Sequence, residues 1–217
     1  MNRLRFAKEG RAKYISHLDL IRTMQRVFVR AGIELKHTEG FNPHAYMAFA
    51  TPLSVGTESR CELMDFVLTG GAALAEVPER VTAAAPEGIT ALSAYIGERK
   101  LSDIAWIETE GFLCYDSVPA GEAAAALKEL YGREKLVIGK KSKRGIIDFD
   151  VIPGIKSLEL APEGKRVRLR ALLAAGDAPL SPAVLLDAAR QTEPRWYPDF
   201  ASFRRLELFD RDMTVFR

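Results

Sequence analysis

Residues 3–15 partly alternate basic and apolar side chains, which predicts a strand. Leu18, Ile21, Met24, Val27 and Phe28 then recur at helical spacing, with Arg22, Arg26 and Arg30 on another side. Ser16 suits the N-cap, Asp19 suits the first turn, where a carboxylate meets the helix dipole, and Gly32 marks the stop. Residues 33–53 return to extended patterning, broken by Gly40-Phe41-Asn42-Pro43. A strand over 61–68, an alanine-rich helix over 72–85 and a strand over 89–96 complete the half.

A second run has the same flavour. It reads as a strand over 105–115, a helix over 121–130, and strands over 136–138 and 146–151 flanking a basic loop. A strand over 165–173, a helix opened by Ser181-Pro182 and a strand over 203–209 follow. The expectation is α+β, two tandem ferredoxin-like (β-α-β-β-α-β) halves with antiparallel sheets. The halves are 1–98 and 99–217, joined near 97–104. No repeat is visible between their sequences, so the duplication rests on element order.

Composition narrows the class. The chain has 217 residues, of which 47% are apolar and 28% charged, enough for a real core. Cys61 and Cys114 are isolated, which excludes a disulfide framework and a four-cysteine zinc site. No apolar run approaches the roughly 18 residues of a membrane span, and the N-terminus lacks a signal-peptide core. The expectation is a soluble cytoplasmic protein without a membrane role. Net charge is +2 but unevenly spread. Residues 1–44 carry nine Lys/Arg against four Asp/Glu, 45–132 carry five against thirteen, and 133–217 carry seventeen against twelve. Two basic ends suit a polyanion better than the total suggests.

All three histidines, His17, His37 and His44, fall within 17–44. Metal ligation, acid/base work beside basic residues, and local hydrogen bonding are the three readings. The spacing is no known ligand pattern, so neither metal nor cofactor is expected. Gly40-Phe41-Asn42-Pro43-His44 places an aromatic among chain breakers. Phe41 either stacks on a base while Lys36, His37 and His44 meet phosphate, or plugs the core from a turn. Arg22, Arg26 and Arg30 form either a solvated face or a phosphate stripe. Lys140, Lys141, Lys143 and Arg144 crowd one loop, as in a hairpin tip or a backbone grip. Arg166, Arg168 and Arg170 alternate and call for an anion, carboxylates or water. Glu62 and Ser59 are candidates to complete a polar site. Phosphate-loop, dinucleotide and serine-hydrolase motifs are missing.

These residues also carry a resemblance. The run Arg5-Phe6, Lys8, Gly10, Tyr14-Ile15-Ser16-His17-Leu18-Asp19-Leu20 and Arg22 is similar to the opening of the bacterial radical-SAM-linked family, whose function is unknown. Gly40-Phe41-Asn42-Pro43-His44 and Pro52-Leu53, Gly56, Ser59 and Glu62 resemble it too. The likeness covers 3–68 well and weakens beyond about 100. Relatives usually follow the loop histidine with Pro and a basic residue, where this chain has Ala45 and Tyr46. Members occur alone or joined to radical SAM proteins, and their genes often lie near those for a ribonuclease and a ribosomal protein. The resemblance therefore implies a radical SAM partner and hints at RNA. Two isolated cysteines cannot hold the iron–sulfur cluster of such an enzyme. Element order also resembles the RAMP-type CRISPR endoribonucleases.

The leading expectation is an RNA-binding accessory module, presenting tRNA or rRNA to a radical SAM enzyme, not catalytic on its own; no DNA is expected. Its contacts would be Arg5, Lys8, His17, Asp19, Arg22, Lys36, His37, Gly40, Phe41, Asn42, His44, Ser59 and Glu62, with the 140–144 loop. The alternatives are an enzyme, either a metal-independent ribonuclease or a small-molecule enzyme using His17, His37 and His44, with His17 and His44 as catalytic candidates, and a protein-interaction domain docking on the radical SAM partner.

Overall fold

A computed structural model describes residues 1–142, 145–176 and 178–217. Lys143 and Arg144 lie outside the described residues. The chain divides into two compact units, Met1–Ile104 with Val215–Arg217, and Ala105–Thr214.

The first unit runs β1 (Asn2–Lys8), α1 (His17–Arg30), β2 (Met47–Phe49), β3 (Thr57–Phe66), α2 (Val77–Ala84) and β4 (Ile89–Ile96). Its strands pair antiparallel in the order β4-β1-β3-β2. That is the ferredoxin-like arrangement. Leu4, Phe6, Met64 and Phe66 of the sheet pack against Leu20, Met24, Val27 and Phe28 of α1 and Val77 and Val81 of α2.

The strand expected over 3–15 stops at Lys8. Gly10 has φ +56 and opens a short 3-10 turn, Gly10–Tyr14. Lys8 is buried, and its ammonium donates to the carbonyls of Lys13 (3.3 Å) and Ile15 (2.8 Å). Gly88 lets the turn seat closely. It has φ +88, and a Cβ there would lie 2.3 Å from the Glu9 carbonyl oxygen.

Ser16 caps α1 as expected, its Oγ accepting from the Asp19 N–H at 3.2 Å. At the other end Arg80 of α2 donates to the free carbonyls of Ala31 (2.7 Å) and Gly32 (2.8 Å). Orphan carbonyls at a helix end need such a donor. The deepest charge pair is Arg3 with Asp65, at 2.6 and 3.0 Å. Arg3 also donates to the carbonyl of Arg99 (2.7 Å), so its buried guanidinium is well used.

The second unit runs β5 (Trp106–Cys114), α3 (Ala120–Tyr131), β6 (Val137–Ser142), β7 (Gly145–Asp150), β8 (Ile155–Glu163), β9 (Arg166–Ala174), α4 (Pro182–Thr192) and β10 (Phe200–Phe209). The order β10-β5-β9-β8 is again ferredoxin-like and antiparallel. Leu113, Leu127, Leu160, Val167, Leu169 and Leu185 belong to its core. Tyr131 donates its hydroxyl to the Leu185 carbonyl at 2.7 Å, and burial pushes its phenol up.

One expectation is corrected here. The segments around 136–138 and 146–151 are not strands of the main sheet. They form a separate hairpin, β6 with β7, inserted between α3 and β8. The sheet strand is β8, which the pattern reading passed over. It lies at a sheet edge, is mostly exposed and contains Pro162. An edge strand tolerates Pro and shows no strong alternation. Among the described residues, no helix is long and apolar enough to cross a membrane.

Candidate functional site

Gly32, at φ +64, turns the chain out of α1. Leu35 then bridges to Leu68, and the Lys36 N–H donates to the Val67 carbonyl at 2.8 Å. The chain next folds back on itself. Tyr46 N–H donates to the Lys36 carbonyl (2.7 Å), Thr38 N–H to the His44 carbonyl (2.8 Å), and His37 bridges to Ala45. Residues 36–46 are thus a hairpin. Gly40, at φ +116, shapes its tip.

The tip excludes one of the two readings of Phe41. Its side chain is not a core plug: it is 110% exposed, as open as in a free peptide. His44 is held by its neighbours instead. Its N–H donates to the Thr38 Oγ1 (3.2 Å), and its Nδ1 lies 3.2 Å from both that oxygen and the Asn42 carbonyl. A protonated Nδ1 donates to the Asn42 carbonyl, and an unprotonated one accepts from the Thr38 hydroxyl, so both tautomers of His44 find a partner. His37 has a carbonyl partner, its Nδ1 lying 3.1 Å from the Leu35 oxygen. A carbonyl only accepts, so a neutral His37 ring that donates there offers Nε2 as an acceptor.

Between this hairpin and the last turns of α1 lies a groove of about 800 Å³. Buried Phe28, Ile33 and Leu35 line its depth, while exposed Glu34, His37 and His44 belong to its rim. Gln25 and Thr69 add an amide and a hydroxyl. The pattern reading missed Gln25, Glu34 and Thr69. Val29 of α1 also lines the groove and is 78% exposed, which only the fold reveals.

The third histidine is elsewhere. His17 meets Phe49 edge-on, with centroids 5.8 Å apart, and Phe49 in turn meets Phe6. The three imidazoles thus do not line one pocket. Among the described residues, no three His, Cys, Asp or Glu side chains are grouped to hold a metal ion.

Asp19 and Arg22 sit at the exposed start of α1. The Ser16 hydroxyl donates to the Asp19 carboxylate at 2.7 Å and Arg22 at 3.2 Å. These bonds, the Ser16 one foremost, hold the Asp19 carboxyl below its ordinary pKa. Ser59 is buried, and its Oγ accepts the Cys61 N–H at 3.3 Å. Glu62 is buried in β3 opposite Phe6, and Arg5 is half-buried in β1 opposite Leu63. Lys36 is exposed at the hairpin base. Of the sequence candidates, the fold therefore gathers Lys36, His37, Gly40, Phe41, Asn42 and His44 in one hairpin. Lys8, Ser59 and Glu62 are placed inside the protein.

Residues 2–182 match the family described as "Uncharacterized protein conserved in bacteria (DUF2344)". The chain belongs to this family. The matched span includes the 36–46 hairpin, the groove and the β6–β7 insertion. No curated protein matches the chain. A solved chain from "Crystal Structure of a Cbf5-Nop10-Gar1 Complex" aligns at 11% identity and TM-score 0.49, over 95% of this chain and 48% of that one. The chain thus spans about half the length of that relative. An "Unknown Protein from Galdieria sulphuraria" aligns at 12% identity and TM-score 0.26, over 94% and 96%. Neither likeness is close enough to bear on function.

The basic residues of the second unit are less available than their clustering suggests. Lys140 lies 3.9 Å above the Phe149 ring and donates to the Pro179 carbonyl at 3.1 Å. Its partial burial lowers the pKa of its ammonium. Lys141 is exposed on β6, opposite Ile146. Arg166, Arg168 and Arg170 do alternate on the exposed face of β9. Carboxylates answer two of them: Arg166 meets Glu163 at 2.9 Å, and Arg170 meets Glu108 at 2.7 Å.

Proposed function

We propose that this family member is an RNA-binding accessory module acting with a radical SAM enzyme on tRNA or rRNA. The observation that carries the reading is Phe41. A hairpin whose own groups are tied together by hydrogen bonds holds this aromatic wholly in solvent. The ring faces of Phe41 are therefore open to a stacking partner. A base stacked on it recovers the lost apolar contact, about 1–3 kcal/mol per base. Lys36 at the hairpin base and exposed Arg26 on α1 supply positive charge within the same unit. The radical SAM partner comes from the motif resemblance of residues 3–68.

Binding to labelled tRNA and to an unstructured RNA oligomer, read by anisotropy, tests this. Affinity is expected to fall with salt between roughly 50 and 200 mM, in proportion to the phosphates contacted. Phe41→Ala is expected to weaken binding about tenfold. RNA that ignores the chain at low salt sinks the proposal.

A second reading, protein docking alone, draws on a different patch. Tyr14, Leu18 and Val55 are 65%, 64% and 58% exposed. The Gly56 N–H donates to the Lys13 carbonyl (2.9 Å) and brings Val55 beside Tyr14. Loss of radical SAM partner binding on Leu18→Glu, with no RNA binding by the wild type, selects this reading.

A further inference from the structure

We propose that the groove between α1 and the 36–46 hairpin is a pocket for one unstacked, amino-bearing nucleobase. The proposal rests on the RNA reading above and adds what the strand is read by.

The argument is one of chemical complement. A volume of about 800 Å³ suits a small ligand. The depth is apolar, from Phe28, Ile33 and Leu35. The rim is a set of acceptors. Glu34 brings a carboxylate, and donation from Nδ1 to the Leu35 carbonyl leaves His37 with an acceptor Nε2, while His44 serves in either tautomer. Gln25 and Thr69 can serve either way. Glu34 works against an anionic ligand, so the groove is not a phosphate seat. What fits is neutral, flat-faced and rich in donors at its edge. An exocyclic amine on a heteroaromatic ring has that character, and uracil lacks it.

Gly70 supports the Glu34 position. A Cβ at Gly70 would lie 3.1 Å from both the Glu34 Cβ and its Oε2, so glycine leaves the room in which that side chain rests. Phe41, two residues before the groove-lining Pro43, is placed to stack on the neighbouring base of the strand.

The test uses the full chain with adenosine, uridine, oligoadenylate and oligouridylate, read by calorimetry or anisotropy. Oligoadenylate is expected to bind about tenfold tighter than oligouridylate, and adenosine to be favoured over uridine in the same sense. A Glu34→Ala, His37→Phe double variant is expected to bring the ratio near unity. A ratio also cancels the general electrostatic gain from removing a carboxylate. Both side chains are exposed, so an unchanged unfolding midpoint serves as the folding control. Phe41→Ala is expected to weaken both oligomers alike and leave the ratio intact. Equal affinities in the wild type, or a ratio that survives the double variant, overturn the pocket. Oligomers that bind no tighter than nucleosides, with the adenine preference intact, uphold the pocket and overturn the RNA reading.

Discussion

The two units share one strand order and differ in where their strand charges are met. The second unit buries Arg205 but sets Arg166, Arg168 and Arg170 on an open strand face and answers two of them there. Arg166 has Glu163, Arg170 has Glu108, and Arg204 lies 3.6 Å from Glu110. The first unit takes charge inside. Arg3 is clamped by Asp65 and by backbone carbonyls, and Lys8 is spent on the turn that leads to α1. Beside that stiffened frame, the first unit leaves Phe41 and two imidazole edges uncovered. The lesson is that a cluster of basic residues in sequence is a poor guide to a free one. The carboxylates, carbonyls and rings around it decide.

The largest expected effect separates the units by stability. Asp65→Ala leaves a buried guanidinium without its counter-charge, and is expected to cost about 3–5 kcal/mol in urea unfolding. Glu163→Ala removes an exposed partner and is expected to cost under about 1 kcal/mol. Equal losses would erase the contrast. Lys8→Met comes next. It keeps the buried stem and removes charged hydrogen bonds to two carbonyls, with an expected loss of about 1.5–3 kcal/mol. Wild-type stability in the Lys8→Met chain would contradict a structural role for the Lys8 ammonium.

Much of the fold was legible because burial writes a period into the sequence. Residues 17–30 show it most clearly, with a capping Ser16 before them and Gly32 after. The first ferredoxin-like order could be read from such stretches, and the second except for one strand. Strand β8 escaped because an exposed edge strand imposes no alternation and admits Pro162. The 3-10 turn escaped because Arg11 and Lys13 continue the basic rhythm of β1 while Gly10 has already left the sheet.

The candidate site divided in the same manner. Gly40-Phe41-Asn42-Pro43-His44 was visible as a run of breakers around an aromatic. Its exposure depends on how Thr38 and Asn42 engage His44, and no spacing rule encodes that. The groove was invisible, since Gln25, Glu34 and Thr69 come from three different segments. Lys8, Ser59 and Glu62 looked like ligands because polar residues in a motif suggest function. In the fold they are buried, which a sequence cannot distinguish from exposed and polar.

Smaller effects sharpen the comparison. Phe41→Ala is expected to leave the unfolding midpoint within about 0.5 kcal/mol of the wild type, because the ring touches little that folding buries. A large loss of stability would make it a structural residue. The smallest effect is one of pH. The Asp19 carboxyl has a folded pKa below its ordinary value of 3.8, so its support for the start of α1 is fully present above that value. It is lost as pH falls through the lower, folded value. Asp19→Asn is expected to flatten that acid limb slightly, seen as a weaker pH dependence of the midpoint below about pH 4. An unchanged limb would remove Asp19 from the account.

The central claim is that the 36–46 hairpin is the RNA-contacting element of the first unit. The most direct measurement is anisotropy of an unstructured RNA oligomer with the wild type, Phe41→Ala and Lys140→Ala, at roughly 50 and 200 mM salt. The expected result is salt-sensitive binding, weakened about tenfold by Phe41→Ala and barely changed by Lys140→Ala, whose ammonium is already engaged. Binding that survives Phe41→Ala and falls with Lys140→Ala would contradict the claim and place the contact on the β6–β7 hairpin.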